Sequence, residues 1–180
     1  MMLEGVLMTI AAAPLPTQDW VDLARYAGRW YEIARLPNPY QDQCAGDVAA
    51  TYTLLPDGRV GVVNECRKGE GRITRVEGVA RRADEKGPAS RLKVRFAPAV
   101  LSFLPFVWGD YWIVELDREY RYVVVGEPSR KYLWILSRSP AMDAATYESL
   151  VAAASRLGFD TAPLLPNPAY DPEAARKEVA

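Results

Sequence analysis

From Gly28 to Arg138 the chain is a train of short segments rich in valine, tyrosine, tryptophan and threonine, broken by turn signals at intervals of about 10 to 15 residues, the mark of an all-β chain. The pattern predicts eight strands, over residues 30–36, 47–55, 59–66, 73–82, 91–96, 109–116, 121–126 and 131–137. Pro56-Asp57-Gly58 closes a tight hairpin in which the glycine is free to take a positive φ. Short links of this kind favour an antiparallel up-and-down meander, and eight strands close into a barrel wide enough for one small ligand. A β-sandwich with a solid core fits the same alternation.

Side-chain parity indicates which face is inward. In Arg91-Leu92-Lys93-Val94-Arg95-Phe96 the apolar residues alternate with three basic ones, so Leu92, Val94 and Phe96 face in. The same reading places Val48, Ala50, Tyr52 and Leu54 inward, then Val60, Val62 and Asn64, then Val76, Gly78 and Ala80. Gly78 and Ala80 are small and are expected to leave room in the lumen.

Composition narrows the chemistry. The 180 residues suffice for one domain with its own core, and 22 basic side chains against 23 acidic ones give no pull toward nucleic acid. There is no histidine, which removes Ser-His-Asp and Cys-His catalysis, imidazole haem ligation and His-containing zinc sites, and two cysteines do not make a thiolate cage. No metal or cofactor is expected, and no enzymatic activity. The 5 tryptophans and 10 tyrosines instead suit the wall of a ligand cavity.

Beyond the strands the period changes. Tyr147, Leu150, Val151, Ala154 and Leu157 recur at helical spacing up to Gly158, predicting one amphipathic helix laid on the outside of the sheet, over Ile33. Prolines 163, 166, 168 and 172 make the tail irregular, with loose helical turns over 172–179. At the other end, Val6 to Leu15 is apolar and ends in Ala11-Ala12-Ala13-Pro14, like an export-signal remnant, yet Glu4 occupies the place of the positive n-region and no cysteine stands nearby for acylation. The organisation is read as a flexible segment 1–19, a domain 20–162 and a tail 163–180. The compartment is read as periplasmic or outer-membrane associated, with the cytoplasm as the alternative.

Three motifs stand in order along the predicted strands: Gly28-Arg29-Trp30 on the first, Gly109-Asp110-Tyr111 on the sixth, and Arg138 directly after the eighth. Together they resemble the lipocalin signature, G-x-W followed by a T-D-Y-like region and a late arginine, with Gly109 where threonine is commoner. Through Gly126-Glu127-Pro128-Ser129-Arg130 and the strand after it the chain is similar to bacterial outer-membrane lipocalins, plant temperature-induced lipocalins and apolipoprotein D. The resemblance covers about residues 20 to 162. It implies an eight-stranded calyx with one helix outside. It also implies carriage or storage of a small hydrophobic ligand, a fatty acid or lysophospholipid, with membrane lipid maintenance as the setting, and an open end formed by loops 37–46, 67–72, 97–108 and 127–130. Trp30 is then a floor plug covered by the Arg138 guanidinium, both structural. A small-lipid enzyme on the same fold is the distant alternative.

Inside such a calyx the expected ligand contacts are Glu32, Ala34, Tyr52, Asn64, Phe96, Trp112, Val114, Tyr132 and Trp134. Glu32 needs a partner if buried, and Arg138 or Tyr52 are the candidates. Folding the hairpin about Asp57 puts Cys66 across from about residue 48, with Cys44 just beyond, so a Cys44–Cys66 disulfide near the mouth is expected; the alternative is a free inward thiol at Cys66. The loop 97–108 is apolar save Ser102. Leu101, Phe103, Leu104, Phe106 and Trp108 either fold in as a lid or stay outside as a patch that meets a membrane or a second copy of the chain.

Overall fold

The computed structural model describes residues 13–167. Eight strands follow in order: β1 (Gly28–Arg35), β2 (Cys44–Leu54), β3 (Val60–Lys68), β4 (Ile73–Arg82), β5 (Arg91–Arg95), β6 (Gly109–Leu116), β7 (Tyr122–Gly126) and β8 (Leu133–Ser137). Each pairs antiparallel with its successor, and β1 pairs with both β2 and β8. That double pairing closes an up-and-down barrel and decides against a sandwich.

The closure divides β1 between its neighbours. Gly28 to Tyr31 lie opposite Tyr52 to Ala49 of β2, whereas Tyr31 to Arg35 lie opposite Ser137 to Trp134 of β8. The second register shifts between Glu32 and Ala34, so β1 carries a β-bulge at Ile33, and β6 shifts likewise between Ile113 and Glu115. A bulge adds one residue on one strand and reverses which face every later side chain takes. β8 starts at Leu133, later than the predicted 131, because the amides of Lys131 and Tyr132 donate to the Glu127 carboxylate instead of to a neighbouring strand.

Two apolar clusters share the barrel wall. Tyr26, Trp30, Tyr52, Val60, Val62, Ala80, Ile113, Val123, Val125 and Leu136 form the inner one. Ile33, Ala34, Val114, Val124, Leu133 and Ile135 form the outer one, covered by α2 (Ala144–Arg156) through Leu150 and Ala154. Asp143 caps α2, its carboxylate accepting from Thr146 N at 2.9 Å, and the backbone turns at Gly158 with φ +89°. The helix therefore stands where sequence periodicity put it, over Ile33.

Both ends of the described chain are tied down. Leu15 is 2% exposed and Gln18 N donates to Ile113 O at 3.0 Å, so the described residues 13–19, expected as part of a flexible segment, hold packed side chains and a main-chain bond to the barrel. In the tail, Leu165–Pro166 adds a ninth two-residue strand beside Ala34 and Arg35 of β1, and Asn167 N donates to Ile33 O. The loose helical turns expected over 172–179, and most of the apolar start, lie outside the described residues.

Candidate functional site

At its lower end the barrel is shut by α1 (Leu23–Tyr26) and the first residues of β1. Trp30 is fully buried, and its indole N–H donates to Tyr26 O at 2.8 Å. Arg138 covers it from below. The guanidinium carbon lies 3.9 Å from the ring centroid while the N–H groups reach the carbonyls of Arg25, Tyr26, Arg29 and Tyr120. Gly28 makes this approach feasible: φ is +102°, and a Cβ there would stand 3.1 Å from Arg138 Nη1.

Above this floor a cavity of about 850 Å³ runs to the open end, within the roughly 300–1,000 Å³ usual for small-molecule sites. Its middle is walled by apolar side chains, among them Val48, Val60, Val62, Leu92, Val94 and Leu136. Of the contacts expected from sequence, Glu32, Tyr52, Asn64, Phe96, Tyr132 and Trp134 line it. Three do not, and these are corrections. Ala34 and Val114 belong to the outer cluster under α2, and Trp112 packs against that cluster with the Arg91 guanidinium 4.7 Å from its ring. The bulge at Ile33 flips Ala34 outward; on β6 the inward parity is that of Tyr111 and Ile113, not of Trp112 and Val114. Gly78 likewise leaves no empty lumen, since a Cβ on it would fall 2.6 Å from the Phe96 ring that packs there. Leu54, also expected inward, is exposed beyond the floor.

The Glu32 carboxylate is buried, and its partner is neither Arg138 nor Tyr52. It accepts from Arg35 Nη1 at 2.7 Å and from Gln41 Nε2 at 2.6 Å. In a regular strand residues 32 and 35 take opposite faces; the bulge brings them together. Gln41 Oε1 in turn accepts from Asn38 Nδ2 at 2.9 Å and Trp134 Nε1 at 2.8 Å, linking the first loop to β8. Burial pushes the Glu32 carboxyl above the usual carboxylate range, and the Arg35 charge and the Gln41 and Arg35 hydrogen bonds only partly offset it. Sequence reading missed Gln41, Tyr40 and the inward role of Tyr111. Tyr40 and Gln41 sit in an irregular loop where periodicity gives no face, and Tyr111 was assigned to the signature alone.

At the mouth, the Cys44 and Cys66 sulfurs are bonded at 2.03 Å, tying the start of β2 to the end of β3. The free-thiol alternative is thereby set aside. Lys68 and Arg75 stand on the same rim, Arg75 paired with Glu77 and Lys68 in no ion pair among the described residues. The Glu127 carboxyl also reaches the rim. Burial raises its pKa, but hydrogen bonds from the Ser129 hydroxyl and the amides of Ser129, Lys131 and Tyr132 outweigh that and hold it below the usual value.

The loop after β5 stays outside. It forms two 3₁₀ turns, Ala99–Leu101 and Pro105–Val107, and leaves Val100, Phe103 and Phe106 76%, 76% and 80% exposed. Leu101 is marginally exposed and Leu104 half-buried, while Phe106 and Val107 also border the cavity. Trp108 anchors the loop, its N–H donating to Ser102 O at 2.8 Å and its ring meeting the guanidiniums of Arg81 and Arg95 at 4.3 and 5.2 Å. Asp110, beside it, pairs with Lys93 at 2.9 Å.

Comparison with known proteins agrees with this architecture. Residues 21–169 match the family described as a lipocalin-like domain. The chain is 43% identical over 152 residues to temperature-induced lipocalin-1 of Arabidopsis thaliana, covering 84% of this chain and 81% of that protein. It is 37% identical over 139 residues to the outer membrane lipoprotein Blc of Escherichia coli K12, covering 77% and 74%. Among solved structures, insecticyanin from the tobacco hornworm superposes with a TM-score of 0.64 at 23% identity over 84% of this chain and 82% of its own, a likeness of fold.

Proposed function

The chain belongs to the lipocalin family, whose barrel suits small hydrophobic ligands, and on that premise we propose that it binds and carries, or stores, a fatty acid or lysophospholipid. The observation that carries this reading is the cavity itself: mostly apolar walls with Lys68, which makes no ion pair among the described residues, at the mouth. An alkyl chain buried along Val48, Val60, Val62 and Leu92 gains about 0.8 kcal/mol per methylene. The anionic head then stays at the rim, near Lys68 and Arg75, where water still reaches it. Tyr132, Trp134, Phe96 and Asn64 shape the upper wall. Displacement of a fluorescent fatty acid by unlabelled fatty acids of increasing length tests it. Affinity should climb with each methylene until the cavity is filled; no displacement at any length overturns the reading.

A second reading is favoured by the exposed Val100, Phe103 and Phe106. These side chains, on the loop whose Phe106 borders the same cavity, are suited to touching a membrane surface from which lipid is loaded, or a second copy of the chain. The two contacts separate by experiment: vesicle co-sedimentation reports the first, and mass in solution by light scattering the second. Membrane lipid maintenance at a periplasmic or outer-membrane site accords with the Blc relative and with a disulfide, which persists in oxidising compartments. Identifying lipid co-purified with protein taken from its source tests the ligand directly.

A further inference from the structure

Directly above the Trp30 floor, three tyrosines from three separate elements meet: Tyr26 of α1, Tyr52 of β2 and Tyr111 of β6. The Tyr26 and Tyr111 hydroxyls are 2.7 Å apart, and Tyr111 donates to Tyr52 at 2.9 Å. The rings of Tyr26 and Tyr52, and of Tyr52 and Tyr111, pack at centroid distances of 5.5 and 5.9 Å, so the trio is joined through its rings as well as its hydroxyls.

Counting protons shows what this unit lacks. Each neutral hydroxyl has one proton to donate, and a chain of three hydroxyls joined by two hydrogen bonds uses two of the three. With Tyr111 donating to Tyr52, its own acceptor capacity is met by Tyr26, and the Tyr52 proton is the one left over. No other acceptor for it is found among the described residues. Reversing the chain merely moves the spare proton to Tyr26. All three hydroxyls stay neutral, because burial pushes them up, Tyr52 to about 12 and the other two well above their ordinary value.

We propose that the closed end of the calyx is a receptor for an uncharged oxygen acceptor, a ketone, ester or ether oxygen carried on the leading end of an otherwise apolar ligand, with the spare hydroxyl of the tyrosine trio as its donor. The inference rests on the carrier reading and deepens it. The surrounding wall of Val60, Val62, Ala80 and Leu92 offers the spare donor nothing, and a buried donor left unmade costs about 1–3 kcal/mol. A ligand ending in methyl leaves it so; a ligand ending in oxygen satisfies it. A carboxylate is unsuited to this end. One free neutral donor does not replace its hydration, and the nearby Arg138 guanidinium lies below Trp30 with its N–H groups committed to main-chain carbonyls. The calyx thus sorts ligands by both ends: an anionic head at the rim and an oxygenated tail at the floor, the pattern of an oxidised acyl chain.

The experiment compares palmitic acid with two analogues, one bearing an oxo group on the penultimate carbon and one bearing it at mid-chain, titrated directly into the intact protein. The penultimate ketone should bind about fivefold more tightly than palmitic acid, the gain of one net hydrogen bond, and the mid-chain ketone should gain nothing. Replacing Tyr26, Tyr52 and Tyr111 together by phenylalanine keeps every ring and should bring the ratio of the penultimate ketone's affinity to that of palmitic acid, both titrated into the same variant, down to about one. Tyr111→Phe alone cuts the chain in its middle and frees two protons, so the preference should survive it, which a merely structural role for the trio does not produce. Equal affinity of wild type for palmitic acid and the penultimate ketone overturns the proposal while leaving the carrier reading intact. Binding of none of the three acids overturns both.

Discussion

The Arg138 guanidinium and the Trp30 indole form the floor of the barrel as one unit, 3.9 Å from cation to ring centroid, with the cation also holding the carbonyls of Arg25 and Arg29 in place. Trp30→Ala empties a fully enclosed site, and large-to-small replacement of a buried tryptophan costs about 3–5 kcal/mol. Arg138→Ala strips the indole of its cover and leaves carbonyls unpaired, for a loss of about 2 kcal/mol. Urea denaturation should show a lowered midpoint in both variants, with the relative affinities for different ligands unchanged. Full stability with lost binding would reassign Trp30 to ligand contact.

The Cys44–Cys66 bond encloses a separation of 22 residues, for which the chain-entropy estimate is about 3 kcal/mol of stabilisation. Protein prepared under oxidising conditions should yield no free thiol when titrated in denaturant. The doubly substituted Cys44→Ser/Cys66→Ser protein should melt lower while keeping its β-sheet circular dichroism, since the bond closes only the mouth.

Glu32 sets a pH dependence of known sign. Its folded pKa is raised above the ordinary 4.5 chiefly by burial, so the folded state holds the proton more tightly than the unfolded chain. The group's contribution to stability is therefore complete below about 4.5 and is lost as pH rises through the raised folded value. Glu32→Gln mimics the protonated form and removes that dependence. Denaturation midpoints across about pH 4 to pH 7 should show wild type falling relative to the variant as pH rises; the opposite slope would mean that the Arg35 charge outweighs burial.

Polar replacement of Val100, Phe103 and Phe106 separates access from affinity. These side chains stand in solvent on the loop whose Phe106 borders the cavity, so their loss should slow transfer of a fluorescent fatty acid from vesicles several-fold while changing its equilibrium affinity little. Wild-type transfer should accelerate with vesicle concentration. A rate independent of vesicle concentration in both proteins argues against loading by collision, and conversion of a dimer to a monomer by the replacements would assign the loop to subunit packing.

The sequence by itself determined the strand train, the outer helix and the inward placement of Tyr52, Asn64, Phe96, Tyr132 and Trp134, because alternation and turn chemistry are local and are written in neighbouring residues; the floor pair Trp30 and Arg138 was legible only through the resemblance of its motifs to a family, and the hairpin register brought Cys44 near Cys66 without excluding a free thiol. Closure was decided only in three dimensions, since a barrel and a sandwich share the same alternation and differ in whether β1 also meets β8. So was the face taken by Ala34: the bulge at Ile33 appears as a shift of register against β8, and it turns Ala34 outward while swinging Arg35 onto Glu32. Trp112 and Val114 stand one residue out of phase because the stretch Tyr111 to Val114 of β6 is apolar on both faces, an inner cluster on one and a helix-covered outer cluster on the other, and no charged residue within it marks the phase. The tyrosine trio draws on residues 26, 52 and 111, and no local pattern records that three hydroxyls so distant in the chain come within hydrogen-bonding distance; only the curvature and stagger of the closed barrel bring them together.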